Sequence, residues 1–121
     1  MIGRGDIRVA LVKRVPAWAL CLDFDPGHTP PPDAYLRTLL RRAGYAIVGR
    51  VLRRRSASRR GWHLVVRTRP RPRSLMELVA LQAVCGSDAY REACNVARAR
   101  VAPRMEAYWR RRVTVLYEGD R

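Results

Sequence analysis

The stretch Leu20-Cys21-Leu22-Asp23-Phe24-Asp25 is apolar and closes on two carboxylates one residue apart. Side chains of an extended strand alternate between faces, so Leu20, Leu22 and Phe24 share one face while Cys21, Asp23 and Asp25 share the other. Two acids on one face of a strand end can hold a divalent cation and leave positions for phosphate oxygens and water. The plainer alternative is a strand end with solvated acids. A second element is Ser56-Ala57-Ser58-Arg59-Arg60-Gly61-Trp62-His63-Leu64-Val65-Val66. Here Gly61 permits close backbone approach, Arg59 and Arg60 can neutralise phosphate charge, the Ser58 hydroxyl can donate to it, and His63 is placed to hydrogen-bond a nucleotide phosphate. A basic hairpin tip with an ordinary surface histidine is the competing reading.

A third set, Asp88, Arg91, Asn95 and Arg98, recurs at helical spacing as a polar stripe. Either it is a solvated face with an Asp88–Arg91 ion pair, or Arg91 and Arg98 grip triphosphate or template phosphates while Asn95 meets a base or sugar. Trp18, Trp62, Tyr108 and Trp109 are candidates for base stacking, although Trp62 falls on the core side of its strand. His28 is close in sequence to the acidic pair, but a loop histidine without a metal-binding role is the simpler expectation. No Gly-rich phosphate loop, paired-histidine helix or Ser/His/Asp arrangement stands out.

The chain of 121 residues carries 25 Lys plus Arg against 10 Asp plus Glu, a formal charge of +15. Every basic residue but Lys13 is arginine, and no acid interrupts the chain between Asp33 and Glu77, where Arg53, Arg54, Arg55, Arg67 and Arg69 fall with other arginines. A field of that sign favours a polyanion, so DNA or RNA is the expected partner, ahead of an acidic protein or a membrane surface. No run approaches the roughly 20 apolar residues of a membrane span, and Met1 to Asp6 lacks the apolar region of a signal peptide; the expected location is cytoplasmic. Cys21, Cys85 and Cys94 are odd in number and lack Cys-x-x-Cys spacing, which argues against a disulfide framework and a zinc ribbon and for small core residues.

These groups must be positioned by few elements, and the length suits one domain spanning residues 1–121. Ile7 to Val12 and Ala17 to Phe24 read as β-prone pieces around Pro16, and Asp33 is a natural N-cap for a helix carrying Leu36, Leu39, Leu40 and Ala43 to Gly44. Tyr45 to Arg55 and Gly61 to Thr68 read as antiparallel strands joined by a basic turn. Ser74-Leu75-Met76-Glu77 is a capping box for a helix ending near Gly86. Ser87 or Asp88 then caps a helix whose apolar stripe is Tyr90, Cys94, Ala97 and Val101, and Val113 to Tyr117 is a last strand. The order predicts an α+β, ferredoxin-like or RRM-like antiparallel sheet with helices on one face and the other face open. The first and third strands would then be neighbours, with Asp23 and Asp25 beside His63.

Leu22-Asp23-Phe24-Asp25, followed by Ser-Arg-Arg-Gly-Trp-His-Leu-Val-Val from Ser58, resembles the archaeo-eukaryotic primase superfamily over Trp18 to Arg67. That resemblance implies an RRM-like palm joining nucleotides with two metal ions, Mg²⁺ or Mn²⁺, in which Asp23 and Asp25 correspond to catalytic acids and His63 to a nucleotide-binding histidine. Members are usually much longer, many carry a zinc-binding insertion that is absent here, and a third carboxylate normally completes the site. Glu118 is the first candidate for that acid by topology, followed by Asp88 and Asp120.

The leading expectation is therefore a reduced primase-like nucleotidyltransferase that binds nucleic acid and nucleoside triphosphate, with a replication partner subunit as a further expected partner. Asp23 and Asp25 would hold the metal, with His63, Ser58, Arg59, Arg60, Arg91 and Arg98 on nucleotide phosphates. Arg53, Arg54, Arg55, Arg67 and Arg69 would take the nucleic-acid backbone. The alternatives are a non-catalytic RRM-like accessory of a phage or mobile element that binds DNA or RNA, and a metal-dependent nuclease.

Overall fold

The computed structural model describes residues 18–56 and 61–101. The expected strands at Ile7–Val12 and Val113–Tyr117, together with Ser58, Arg59, Arg60, Tyr108, Trp109, Glu118 and Asp120, lie outside the described residues.

Strand β1 (Leu20–Phe24) is followed by α1 (Asp33–Arg42), then β2 (Ala46–Ile47), β3 (Leu52–Arg55), β4 (Trp62–Val66) and β5 (Thr68–Arg69), and finally α2 (Leu75–Val84) and α3 (Ala89–Ala99). The architecture is α+β. An antiparallel sheet has the order β1-β4-β3, and β2 pairs with β5 in a second, two-stranded sheet. This arrangement is compatible with a ferredoxin-like fold. Tyr45 to Arg55, expected as one strand, is two: Gly49 adopts φ +72° between β2 and β3, a left-handed conformation that breaks an extended run.

Period-two alternation sets the core. Leu20, Leu22 and Phe24 of β1 and Leu64 and Val66 of β4 are buried against Leu36 and Leu40 of α1 and Leu75, Leu78, Val79 and Leu81 of α2. Trp62 packs against the same cluster, with the Arg55 guanidinium 4.8 Å from its ring centroid. The opposite face is not open as expected: Cys21, His63 and Val65 are each at most 5% exposed. Burial pushes the thiols of Cys21 and Cys85 up to about 12.

The helix ends follow local rules with one exception. Ser74 caps α2, its Oγ accepting from Glu77 N at 3.1 Å, while Glu77 Oε1 accepts from Arg73 N and from the Tyr45 hydroxyl. Asp88 caps α3, its Oδ2 accepting from Arg91 N at 2.9 Å. The cap of α1 is Pro32, not Asp33. Asp33 occupies the first helical turn, where its charge suits the helix dipole, and it binds Arg53 at 2.6 Å.

The largest departure is α3. The expected apolar stripe faces outward, with Tyr90 79% and Val101 53% exposed. The polar side faces inward: Glu92 and Asn95 are buried, and Arg91 and Arg98 are half-buried. The reason lies in β1. Its free edge presents peptide groups that need partners. Gln82 Oε1 accepts from Cys21 N at 2.9 Å, Ser87 Oγ accepts from Asp23 N at 2.9 Å, Arg91 Nη1 donates to Cys21 O at 2.7 Å, and Asp88 N donates to Asp23 O at 2.7 Å. Side chains and a helix N-terminus thus close an edge that another strand would otherwise cover.

Candidate functional site at the end of strand β1

The outward bonds of Cys21 and Asp23 decide how β1 meets β4. Their peptide groups turn away from β4, so Asp23 and His63, which are opposite each other in the register, form a non-hydrogen-bonded pair, the type that brings side chains closest. His63 Nε2 lies 3.3 Å from Asp23 Oδ1. On the other side of β4, Arg54 of β3 is opposite His63. Carboxylate, imidazole and guanidinium therefore form one row across the three strands. His63 is 3% exposed, whereas the Asp23 side chain is 27% exposed.

Gly61 makes the row possible. A Cβ at that position would stand 2.5 Å from the carbonyl oxygen of Phe24, a backbone atom with no freedom to give way. Gly61 also exchanges hydrogen bonds with Ser56, donating to its Oγ at 3.1 Å and accepting from its amide at 3.0 Å. The expected close approach is thus between the two strands that carry Asp23 and His63.

Beyond the row, Asp25 lies in an exposed turn in which His28 N donates to Asp25 O at 3.0 Å. Interaction with the neighbouring Asp88 carboxyl, partial burial and the nearby charge of Asp23 push Asp25 up to about 6, with His28 opposing. The acid that joins the pair is accordingly Asp88, delivered by α3 through the bond from its amide to Asp23 O. Glu118, ranked ahead of it on topology, lies outside the described residues. The amino end of α3 also faces this group and offsets some of the repulsion.

Several expected phosphate contacts have other partners. Arg91 donates to Cys21 O and Ser87 Oγ and pairs with Glu92 at 2.5 Å, and Arg98 Nη1 donates to Asn95 Oδ1 at 2.9 Å. Arg53 is held by Asp33 and by the carbonyl of Pro31. Arg54, Arg55, Arg67 and Arg69 are exposed. Sequence reasoning did not single out Gln82 or Glu92, and read Ser87 only as a candidate helix cap. Gln82 had a signal, because the stripe Leu75, Leu78, Val79 continues to position 82 at helical spacing.

Aspartate oxygens are the donors a hard divalent cation prefers. As arranged, no three His, Cys, Asp or Glu groups among the described residues form a metal-holding set. The aspartates fit such a cation in donor type. No helix among the described residues is long and apolar enough to cross a membrane. Compared with family models, curated proteins and solved structures, the chain matches none.

Proposed function

We propose that this chain is a primase-like palm that binds nucleic acid and nucleoside triphosphate and performs metal-dependent nucleotidyl transfer at the end of β1. The observation that carries the reading is the juxtaposition of the Asp23–His63–Arg54 row with the neighbouring carboxylates of Asp25 and Asp88. Asp25 and Asp88, with Asp23 beside them, would hold Mg²⁺ or Mn²⁺. Such a cation polarises phosphoryl oxygens and stabilises charge at the attacking and leaving positions. His63 fixes the Asp23 carboxylate, and Arg54, next in the row, is the cation aimed at a nucleotide phosphate. Charge supports the polyanion: at +15, the chain attracts phosphodiester backbones.

Incorporation of labelled nucleotides on single-stranded DNA with Mn²⁺ or Mg²⁺ tests this reading, comparing the wild type with Asp23→Asn, Asp25→Asn. Product from the wild type alone is the expected result. No product from either, with salt-sensitive binding by both, would replace it with the accessory reading. Cleavage of labelled DNA without added nucleotides would replace it with a nuclease.

A further inference from the structure

At the other end of β1 a cleft of about 300 Å³ is lined by Trp18, Ala19, Val48, Arg67, Thr68, Arg69 and Arg71. None of these is acidic. Arg67, Arg69 and Arg71 are exposed, and Trp18 is half-buried. We propose that this cleft binds one phosphorylated nucleobase unit of a single-stranded nucleic acid, its base on the Trp18 indole and its phosphates on the three arginines.

Four features point there. An indole beside guanidinium groups matches a nucleotide, which offers a flat π-face and an anion a few ångströms apart. The volume lies at the lower end of the range for small-ligand sites, enough for one such unit. Trp18 adopts φ +64°, a left-handed conformation disfavoured for a bulky residue, of the kind retained where a side chain must be aimed. Gly49, at φ +72°, holds the turn next to the cleft residue Val48 in a left-handed conformation that a side chain would strain. Trp18 also packs against the hydrophobic core, which fixes its place in the cleft wall.

Location adds a functional meaning. Ala19 and Asp25 are six residues apart along an extended segment, so the cleft and the carboxylates are separated by roughly 20 Å. A strand anchored at Trp18 can run past the exposed Arg54 toward Asp25. In that sense the inference deepens the proposed function and rests on it for direction, whereas occupancy of the cleft stands without catalysis.

The test is binding of a short oligothymidylate over a salt series by fluorescence anisotropy, with thymidine monophosphate as competitor. Trp18→Ala is expected to lose about 10-fold or more in affinity, with Trp18→Phe recovering most of it, as stacking requires. Arg67→Gln, Arg69→Gln, Arg71→Gln is expected to flatten the logarithmic salt slope by about 2, and to lose more affinity than the charge-matched Arg41→Gln, Arg42→Gln, Arg50→Gln. Competition by the monophosphate identifies a free nucleotide as a sufficient ligand, and its failure identifies the strand as the required one; both fit the proposal. Equal losses for the two arginine triples, or unchanged binding by Trp18→Ala with native circular dichroism, overturn it. If Trp18→Ala is unfolded, the Phe variant and the arginine comparison decide alone. Asp23→Asn, Asp25→Asn is expected to bind the oligonucleotide as the wild type does, so lost incorporation with intact binding counts against the catalytic reading and not the cleft.

Discussion

Asp88 and Glu92 are one helical turn apart on α3 and belong to opposite kinds of polar cluster. Glu92 is 3% exposed and saturated: Gln82, Ser87, Arg91 and Asn95 all donate to its oxygens. Asp88 faces Asp25 and Asp23, acids of its own sign, in a half-exposed setting. A buried charge surrounded by donors holds structure together, whereas like charges collected at a strand end cost stability and are retained where something is to be bound. The start of α3 thus serves both ends: Ser87, Asp88 N and Arg91, with Gln82 of α2, close the edge of β1, while the Asp88 carboxyl is brought to the candidate site.

The sharpest way to break this contrast is to remove the saturated acid. Glu92→Ala leaves the Arg91 guanidinium, whose side chain is 10% exposed, without its counter-charge. A loss of about 3–5 kcal/mol is expected in urea unfolding. Asp25→Asn, by contrast, should cost nothing at pH 7.

Gly61→Ala comes next, because its Cβ meets the Phe24 carbonyl oxygen at 2.5 Å. Separating β4 from β1 there should cost about 1–3 kcal/mol and disturb the Asp23–His63 contact, visible as a shift of the His63 ring resonances. Gln82→Ala, which strips a partner from Cys21 N and from Glu92, is expected to cost about 1–3 kcal/mol.

A smaller effect sharpens the other side of the comparison. Asp25 is raised to about 6 in the folded chain, whereas its unfolded counterpart titrates near 3.8. Below the lower value both states hold the proton and pH has no effect through this group. Between the two the unfolded state releases its proton first, so metal-free stability falls as pH rises from about 4 to about 6, and then levels off. Asp25→Asn should remove this dependence and raise the melting temperature at pH 7 by about 2–5 °C, with no gain at pH 3. Melting curves in chelator across this range check the sign. The mildest expectation concerns thiols: Cys94 should react with an aromatic disulfide reagent well before the buried Cys21 and Cys85, whose thiols are pushed up to about 12.

Local patterns carried much of this architecture in the sequence. Alternation along Leu20–Phe24 and Trp62–Val66 placed Asp23 beside His63, since strand side chains have only two faces to choose from. Ser74 and Glu77 marked the start of α2 because a capping box is a contact three residues long. What local pattern could not convey was the need of β1 for hydrogen-bond partners along its free edge. That demand, set by residues some 60 positions away, turned the polar side of α3 inward and left Tyr90 and Val101 exposed. It also brought Asp88 to Asp25 and drew Arg91 away from any phosphate. Arg53, read as part of a basic surface, has its partner in Asp33 through a contact that spacing does not reveal.

The most direct test of a cation site at the end of β1 is calorimetric titration of the chain with Mn²⁺ at pH 7.5 and at pH 5. The account predicts binding at the higher pH, weaker at the lower one as a proton occupies Asp25, and lost in Asp25→Asn, Asp88→Asn. Equal heats from the wild type and that variant, or none from either, would contradict it.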